Sequence, residues 1–161
     1  PDLDVVEIRG NVDTRIRKVD EGMYDAVVLA TAGLFRLGLE DRISEKLGVR
    51  EFPPAPGQGA LAVQMRDEDS ELHRVVKSLD DPDARATSGA ERAFLRGLGG
   101  GCTLPVGAHA WRESGQLKLL GFVGSNTGSL SLRAEVTGDD PEALGEKLAA
   151  QMLSDGAGEL L

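Results

Sequence analysis

The chain has 161 residues, enough for one ordinary domain or two small ones, and its apolar content of 40% is compatible with a buried core. Its 27 acidic and 18 basic residues give a net charge of −9, which argues against binding to nucleic acid or to anionic membranes. The longest apolar run, residues 26–35, is interrupted by Thr31 and Gly33 and is shorter than the ~20 residues that a transmembrane helix needs. We therefore expect no membrane span.

The sequence lacks an initiator Met and the basic and apolar stretches of a secretory signal, so we expect the chain to begin inside a larger protein. Its one cysteine, Cys102, cannot form an internal disulfide or a Cys-rich zinc site, which fits a reducing cytoplasm. Thirteen of the 18 basic residues are arginines, whose planar forks bind carboxylates and phosphates in bidentate fashion. An anionic small molecule is therefore compatible with the composition.

The first third of the chain alternates the signals of strands and helices. Residues 3–8 and 24–30 are apolar runs typical of buried parallel strands. The stretch between them has the apolar spacing of an amphipathic helix, at Val12, Ile16, Val19 and Met23. This βαβ pattern predicts an α/β fold, and two short helices are expected next, over residues 32–37 and 41–47.

Residues 52–59 are rich in proline and glycine, which predicts an extended hinge between two structural units. A strand is expected over residues 60–65, followed by a helix over residues 69–79. The apolar residues predicted to face inward on that helix are Leu72, Val75, Val76 and Leu79.

The remainder of the chain predicts a small α+β domain with two helices and a three-stranded antiparallel sheet. An Asp-Pro pair opens each helix, at residues 81–82 and 140–141, with Asp as the N-cap and Pro at the first helical position. The first helix runs to about Leu98, and Gly156 is the predicted C-cap of the second. The predicted strands are residues 106–111, 117–123 and 130–136. In the last strand the residues predicted to face the core are Leu130, Leu132, Ala134 and Val136.

Cys102 follows three glycines, residues 99–101, and precedes Pro105. Glycines permit unusual backbone angles and the close approach of another molecule, and Pro105 favours a loop. A small buried cysteine is one alternative at this stage. A loop thiol can also serve as a nucleophile or a covalent tether where positive charge favours the thiolate, and the residues alone do not separate these roles.

Arg9 and Arg15 flank the point where the first predicted strand ends and a helix begins, the position at which open α/β sheets bind ligands. The helix N-terminus attracts anions, and two arginine side chains would add to that attraction. Arg36 follows the next predicted strand and is expected at the same edge of the sheet. Solvated surface arginines are the alternative interpretation.

The two histidines, His73 and His109, have no partner at metal-ligand spacing, so we expect surface histidines and no metal site. The acid pairs 80–81 and 139–140 precede prolines, and helix capping explains them without catalysis.

Four segments in chain order carry a resemblance to a known family. They are residues 9–15 (RGNVDTR), 29–37 (LATAGLFRL), 56–60 (PGQGA) and 100–107 (GGCTLPVG). Any one of them could arise by chance, but their order and spacing extend over the chain from residue 9 to the final helix. Together they resemble the porphobilinogen deaminases, also called hydroxymethylbilane synthases.

The resemblance implies a transferase of haem and tetrapyrrole biosynthesis. Such an enzyme links four porphobilinogen molecules into the linear tetrapyrrole hydroxymethylbilane and releases ammonia each time. In this family the cysteine of the Gly-Gly-Cys loop forms a thioether to a dipyrromethane cofactor, so Cys102 is expected to be a tether and not a nucleophile. The family's arginines at the positions of Arg9, Arg15 and Arg36 bind the carboxylates of cofactor, substrate and growing chain, and the resemblance also implies that Arg15 assists elongation.

Ala30, Gly33 and Gln58 match family positions that line the same cleft. The family fold has two α/β domains similar to type II periplasmic binding proteins and a small α+β domain that carries the cysteine. By this resemblance residues 1–57 are the latter part of the second domain and residues 58–79 return to the first. Residues 80–161 are the C-terminal domain.

The N-terminal portion of the family has no counterpart in this sequence, and no acid here matches the family's catalytic aspartate. We therefore expect that missing portion of the same protein to be a partner, the chain alone to be inactive, and the parent enzyme to be monomeric. The competing interpretation is a non-enzymatic module that binds an anionic small molecule, and a thiol-nucleophile enzyme is a third. Cys102 separates them, because only the tether predicts a permanent adduct on the thiol.

Overall fold

The computed structural model describes residues 3–101 and 104–161. The chain divides into two compact units, Pro1–Lys46 and Leu47–Leu161. The division of the chain at residues 57 and 79, which the family resemblance implies, stays a prediction.

The first unit contains two α-helices and one short 3-10 helix. Helix α1 spans Val12–Asp20, α2 spans Thr31–Arg36, and the 3-10 helix spans Glu40–Arg42. Asn11 caps α1, because its side-chain oxygen accepts a hydrogen bond of 3.0 Å from the backbone N–H of Thr14.

Three predicted elements of the first unit differ in the structure. Residues 3–8 and 24–30 form no β-strand. A strand requires a neighbour that pairs with its N–H and C=O groups, and no described residue pairs with these two segments. The helix predicted over residues 41–47 is reduced to the 3-10 turn. Leu39 precedes that turn without a side-chain cap, and so short a segment forms a helix only with strong tertiary support.

Helix α3, Ser70–Lys77, lies in the second unit and confirms the helix predicted over residues 69–79. Asp69 caps it by accepting a 2.9 Å hydrogen bond from the N–H of Leu72. The prediction that its apolar face points inward is wrong, since Val75 and Leu79 are largely exposed. The strand predicted over residues 60–65 is also absent, and Leu61 remains 78% exposed. No described residue supplies the surface that these side chains would cover.

The α+β part of the second unit confirms the predicted helices and the three-stranded sheet. Helix α4 spans Pro82–Gly97, α5 spans Pro141–Ser154, and the strands are β1 (Val106–Glu113), β2 (Gln116–Gly124) and β3 (Ser131–Gly138). The sheet order is β1-β2-β3, and both pairs are antiparallel. The side chains of Asp81 and Asp140 cap α4 and α5 as predicted. Gly156 is in the left-handed conformation, one residue beyond the C-cap of α5.

Both helices pack against one face of the sheet. The largest fully buried side chains are Phe94, Leu117, Leu119, Leu148, Met152 and Val123. The helices approach so closely that a Cβ added at Gly145 would lie 2.5 Å from the carbonyl oxygen of Ala90. In β3, Val136 is buried and Leu132 half-buried, as the alternation predicted, but Leu130 precedes the strand and is exposed.

Candidate functional site

The turn between residues 9 and 11 positions the first two predicted arginines. Gly10 has a φ of +122°, and a Cβ there would lie 2.8 Å from the Cγ2 of Thr14, so the turn requires glycine. The Nε of Arg15 donates a 2.7 Å hydrogen bond to the carbonyl oxygen of Gly10. The Nζ of Lys18 donates to the carbonyl oxygen of Arg9 at 3.0 Å. Two cationic side chains of α1 are thus held against the turn before the helix.

The charges of these arginines are differently compensated. Arg9 is highly exposed and lies 3.4 Å from a carboxylate oxygen of Glu7, a surface pair of small energetic value. Among residues 3–101 and 104–161, no acidic side chain lies within 4.0 Å of the guanidinium of Arg15 or Arg36. An added anion would therefore find both guanidinium groups without a competing carboxylate.

The first turns of α1 and α2 lie side by side. A Cβ at Gly33 would be 3.7 Å from the Cγ2 of Val12, an ordinary contact distance that shows how close the two helix starts lie. Ala30 is the N-cap of α2 and provides no side-chain hydrogen bond, which leaves first-turn N–H groups free of a side-chain cap. Arg36 is the last residue of α2. The structure thus places Arg9, Arg15, Ala30 and Gly33 near the starts of two helices and places Arg36 at the opposite end of α2.

Gln58 belongs to the second unit and lies in a turn between two glycines in the left-handed region. Gly57 has a φ of +78° and Gly59 a φ of +88°. The N–H of Gln58 donates to the carbonyl oxygen of Ala55 at 2.9 Å, and the Gln58 side chain is exposed. The motif's glycines therefore shape a tight turn that displays the amide of Gln58.

The proline-rich segment before this turn is bound to the sheet. The N–H of Ala108 in β1 donates a 2.8 Å hydrogen bond to the carbonyl oxygen of Pro54. The guanidinium of Arg133 donates to the carbonyl oxygens of Arg50 and Glu51, each at 2.6 Å, and lies over the ring of Phe122. Composition alone predicted a hinge here, but these bonds fix residues 50–54 along the α+β domain.

Glu91 of α4 is a buried acid that the sequence analysis missed. It is 8% exposed, and its carboxylate accepts hydrogen bonds from the N–H of Gly57 at 2.7 Å and the N–H of Ala110 at 2.8 Å. Burial raises the pKa of this carboxyl, and the two backbone hydrogen bonds partly oppose that rise. Its neighbours Ala90 and Phe94 are core residues, so an acid beside the inward stripe of α4 was the available signal.

The glycines before the predicted tether close α4. The N–H of Gly99 donates to the carbonyl oxygen of Arg96, and the N–H of Gly100 to that of Leu95, both at 3.0 Å, which is the Schellman arrangement. All three glycines, residues 99–101, have positive φ angles, which confirms the unusual backbone angles expected of them. Cys102 itself lies outside the described residues.

Within residues 3–101 and 104–161, no three His, Cys, Asp or Glu side chains are grouped so that they could hold a metal ion. No helix among these residues is long and apolar enough to cross a bilayer.

Two family models match the chain. "Porphobilinogen deaminase, dipyromethane cofactor binding domain" matches residues 1–74, and "Porphobilinogen deaminase, C-terminal domain" matches residues 86–154. The chain belongs to the porphobilinogen deaminase family. The recognition from four short segments is therefore confirmed, and three of those segments fall within the first model while the fourth falls within the second.

Curated porphobilinogen deaminases align with the whole chain. The chain is 48% identical to that of Desulforudis audaxviator over 163 residues, which cover 100% of this chain and 53% of the relative. It is 50% identical to that of Roseiflexus castenholzii and 48% identical to that of Stenotrophomonas maltophilia, with 54% of each relative covered. The chain thus spans about half the length of the curated relatives it matches.

Proposed function

We propose that the chain is part of a transferase that condenses four porphobilinogen molecules into hydroxymethylbilane and releases ammonia at each condensation. The observation that carries this proposal is the arginine turn at the start of α1, which lies inside the segment matched by the cofactor-binding model. Its glycine geometry, its helix N-terminus and its arginines form a surface suited to carboxylates.

Arg15 would act by positioning a carboxylate. Its Nε is already bonded to the carbonyl oxygen of Gly10, which fixes the side chain and leaves the two terminal nitrogens to donate in parallel. A guanidinium remains protonated at physiological pH, so this residue orients acidic groups and does not transfer protons. Arg9 and Arg36 are proposed to bind further carboxylates of the cofactor, substrate and growing chain.

The residues present fit a dipyrromethane whose pyrrole rings carry carboxylate side chains. The guanidinium groups of Arg15 and Arg36, which pair with no acid among the residues that the structure describes, match those anions. Ala30 provides no side-chain cap at the start of α2, Gly33 adds no side chain there, and Gln58 can both donate and accept hydrogen bonds. When bound, through a thioether to Cys102, this cofactor supplies the primer for the growing chain.

Turnover is proposed to require the part of the family's sequence that this chain does not cover, because no acid here corresponds to the family's catalytic aspartate. The parent enzyme is proposed to act as a monomer in the cytoplasm. A single cysteine, and hence no internal disulfide, supports the cytoplasmic assignment.

The test is the intact mass of the active protein that contains this chain, with and without Cys102→Ser. The natural protein should carry an added mass of two pyrrole units, and the variant should lack it and lose activity. Thr127→Ser, an exposed hydroxyl change, serves as the matched control and should retain the adduct. A bare Cys102 thiol in fully active protein would refute the tether. Ligand binding that survives Cys102→Ser without any turnover would favour the binding module.

A further inference from the structure

Glu91 connects three separate parts of the second unit. Its backbone belongs to α4, its Oε1 accepts a hydrogen bond from Ala110 on the outer edge of β1, and its Oε2 accepts one from Gly57. Gly57 opens the turn that displays Gln58. One carboxylate thus joins a helix, a strand edge and the Gln58 turn.

The burial of this carboxylate calls for an explanation. A charged group removed from water is costly unless it is hydrogen-bonded or paired. No cationic side chain that the structure describes lies within 4.0 Å of Glu91, so the two backbone N–H groups are its stabilising partners there. An apolar residue would avoid the cost of burying a charge but would leave the N–H groups of Gly57 and Ala110 without these acceptors, so the two acceptor oxygens are what Glu91 contributes here.

We propose that Glu91 is a positioning residue that fixes the Gln58 turn against α4. This inference rests on the proposed function, in which Gln58 lines the cofactor cleft. We call the two hydrogen bonds of Glu91, to the N–H groups of Gly57 and Ala110, the clamp. Helix α4 is followed by the glycines directly before Cys102, so the clamp attaches the turn to the element that leads into the tether. Glu91 therefore sets where Gln58 lies relative to α4 without itself contacting the substrate.

The chemistry of the clamp is specific to glutamate. A glutamine has one acceptor oxygen, so one of its two contacts would oppose an NH₂ group to a backbone N–H. An aspartate keeps both oxygens but is one methylene shorter, and it cannot span the distance to both donors without moving α4. Glu91→Gln and Glu91→Asp should therefore each release at least one of the two N–H groups.

The first measurement is amide hydrogen exchange in the active protein that contains this chain. In the natural protein the N–H of Gly57 should be protected, and in Glu91→Gln its exchange should accelerate by about tenfold or more. The control is Val136→Ala, which weakens the same core without touching the turn. Unprotected Gly57 in the natural protein, or unchanged exchange in the variant, would overturn the clamp. If Glu91→Gln does not fold, Glu91→Asp replaces it, and the exchange rate of the Gly57 amide is again compared with that of the natural protein.

The second measurement is turnover of porphobilinogen well below the melting temperature of each variant. Glu91→Gln should reduce kcat/KM by about tenfold, as loss of a hydrogen bond to a charged group would. In a Gln58→Ala background the same change should have little further effect, because both act through one turn. Additive losses, or an equal loss in Val136→Ala, would show a merely structural role.

The two measurements separate this inference from the function on which it rests. A natural protein without turnover would contradict the proposed function, while the exchange of the Gly57 amide would still decide whether Glu91 holds the turn.

Discussion

Residues 3–79 and residues 82–161 differ in how far their apolar side chains are buried. In the later segment two helices and three strands enclose a continuous core, and Leu148 is completely buried. In the earlier segment Leu3, Val5 and Leu61 are at least 78% exposed, and the apolar runs that predict strands pair with nothing described. Local sequence signals are sufficient to build the α+β domain, whereas the α/β signals specify surfaces that need further polypeptide to cover them.

The largest expected effect comes from breaking the core of the later segment. Leu148→Ala should lower the free energy of unfolding by about 2–5 kcal/mol, because it leaves a cavity among fully buried side chains. Leu61→Ala is the matched control, and in the 161-residue chain it should change the free energy by less than about 0.5 kcal/mol. Chemical denaturation followed by circular dichroism measures both. Equal losses would mean that the earlier segment has a packed core of its own.

A change in the earlier segment should instead affect ligand binding. Arg15→Lys keeps the charge but removes the fork, so kcat/KM for porphobilinogen should fall about tenfold with little change in melting temperature. Arg17→Lys is the control on the same helix, since Arg17 forms an exposed pair with Glu21 at 2.6 Å. Steady-state kinetics on the active protein that contains this chain tests the pair. A loss of equal size in Arg17→Lys would show that general charge or helix stability, and not the Arg15 fork, matters here.

The smallest expected effect is a pH dependence confined to the later segment. Burial, with Arg50 nearby, lowers the pKa of His109 below its ordinary value of about 6.5. Below that pH the unfolded chain binds the proton more readily than the folded one, so this contribution to stability is present above about pH 6.5 and lost as the pH falls. Melting temperatures of the natural chain and His109→Gln should therefore diverge on acidification. Parallel curves would contradict the assignment.

The sequence was a good guide where structure depends on neighbours along the chain. Asp81 and Asp140, each followed by proline, correctly located the starts of α4 and α5, and the alternation in β3 correctly assigned its buried face. Pairing is a non-local property, so the apolar run over residues 60–65 could not reveal whether a neighbouring strand was available.

The candidate site was predictable in the same uneven way. The helix start predicted between Arg9 and Arg15 is confirmed by α1, whereas the turn before it, in which Gly10 has a φ of +122°, was not predicted. The burial of Glu91 had a signal in the stripe of α4, but its two partners could not be predicted, since they lie 34 residues before it and 19 residues after it. The helix predicted over residues 32–37 placed Arg36 in its last turn, as the structure does. The expectation that Arg36 shares a sheet edge with Arg9 and Arg15 is wrong for the described residues, because the predicted strands before them are absent.

The attachment of the proline-rich segment to β1 has a consequence for how molecules of this protein meet one another. Without this attachment, N–H groups on the outer edge of β1 could donate hydrogen bonds to a strand of a second molecule. The N–H of Ala108 instead donates to the carbonyl oxygen of Pro54, and the N–H of Ala110 donates to the carboxylate of Glu91. A proline-rich stretch is a poor template for further pairing, because proline has no N–H to extend the ladder. The sheet is thereby closed to growth on this side, which protects the domain from edge-to-edge aggregation.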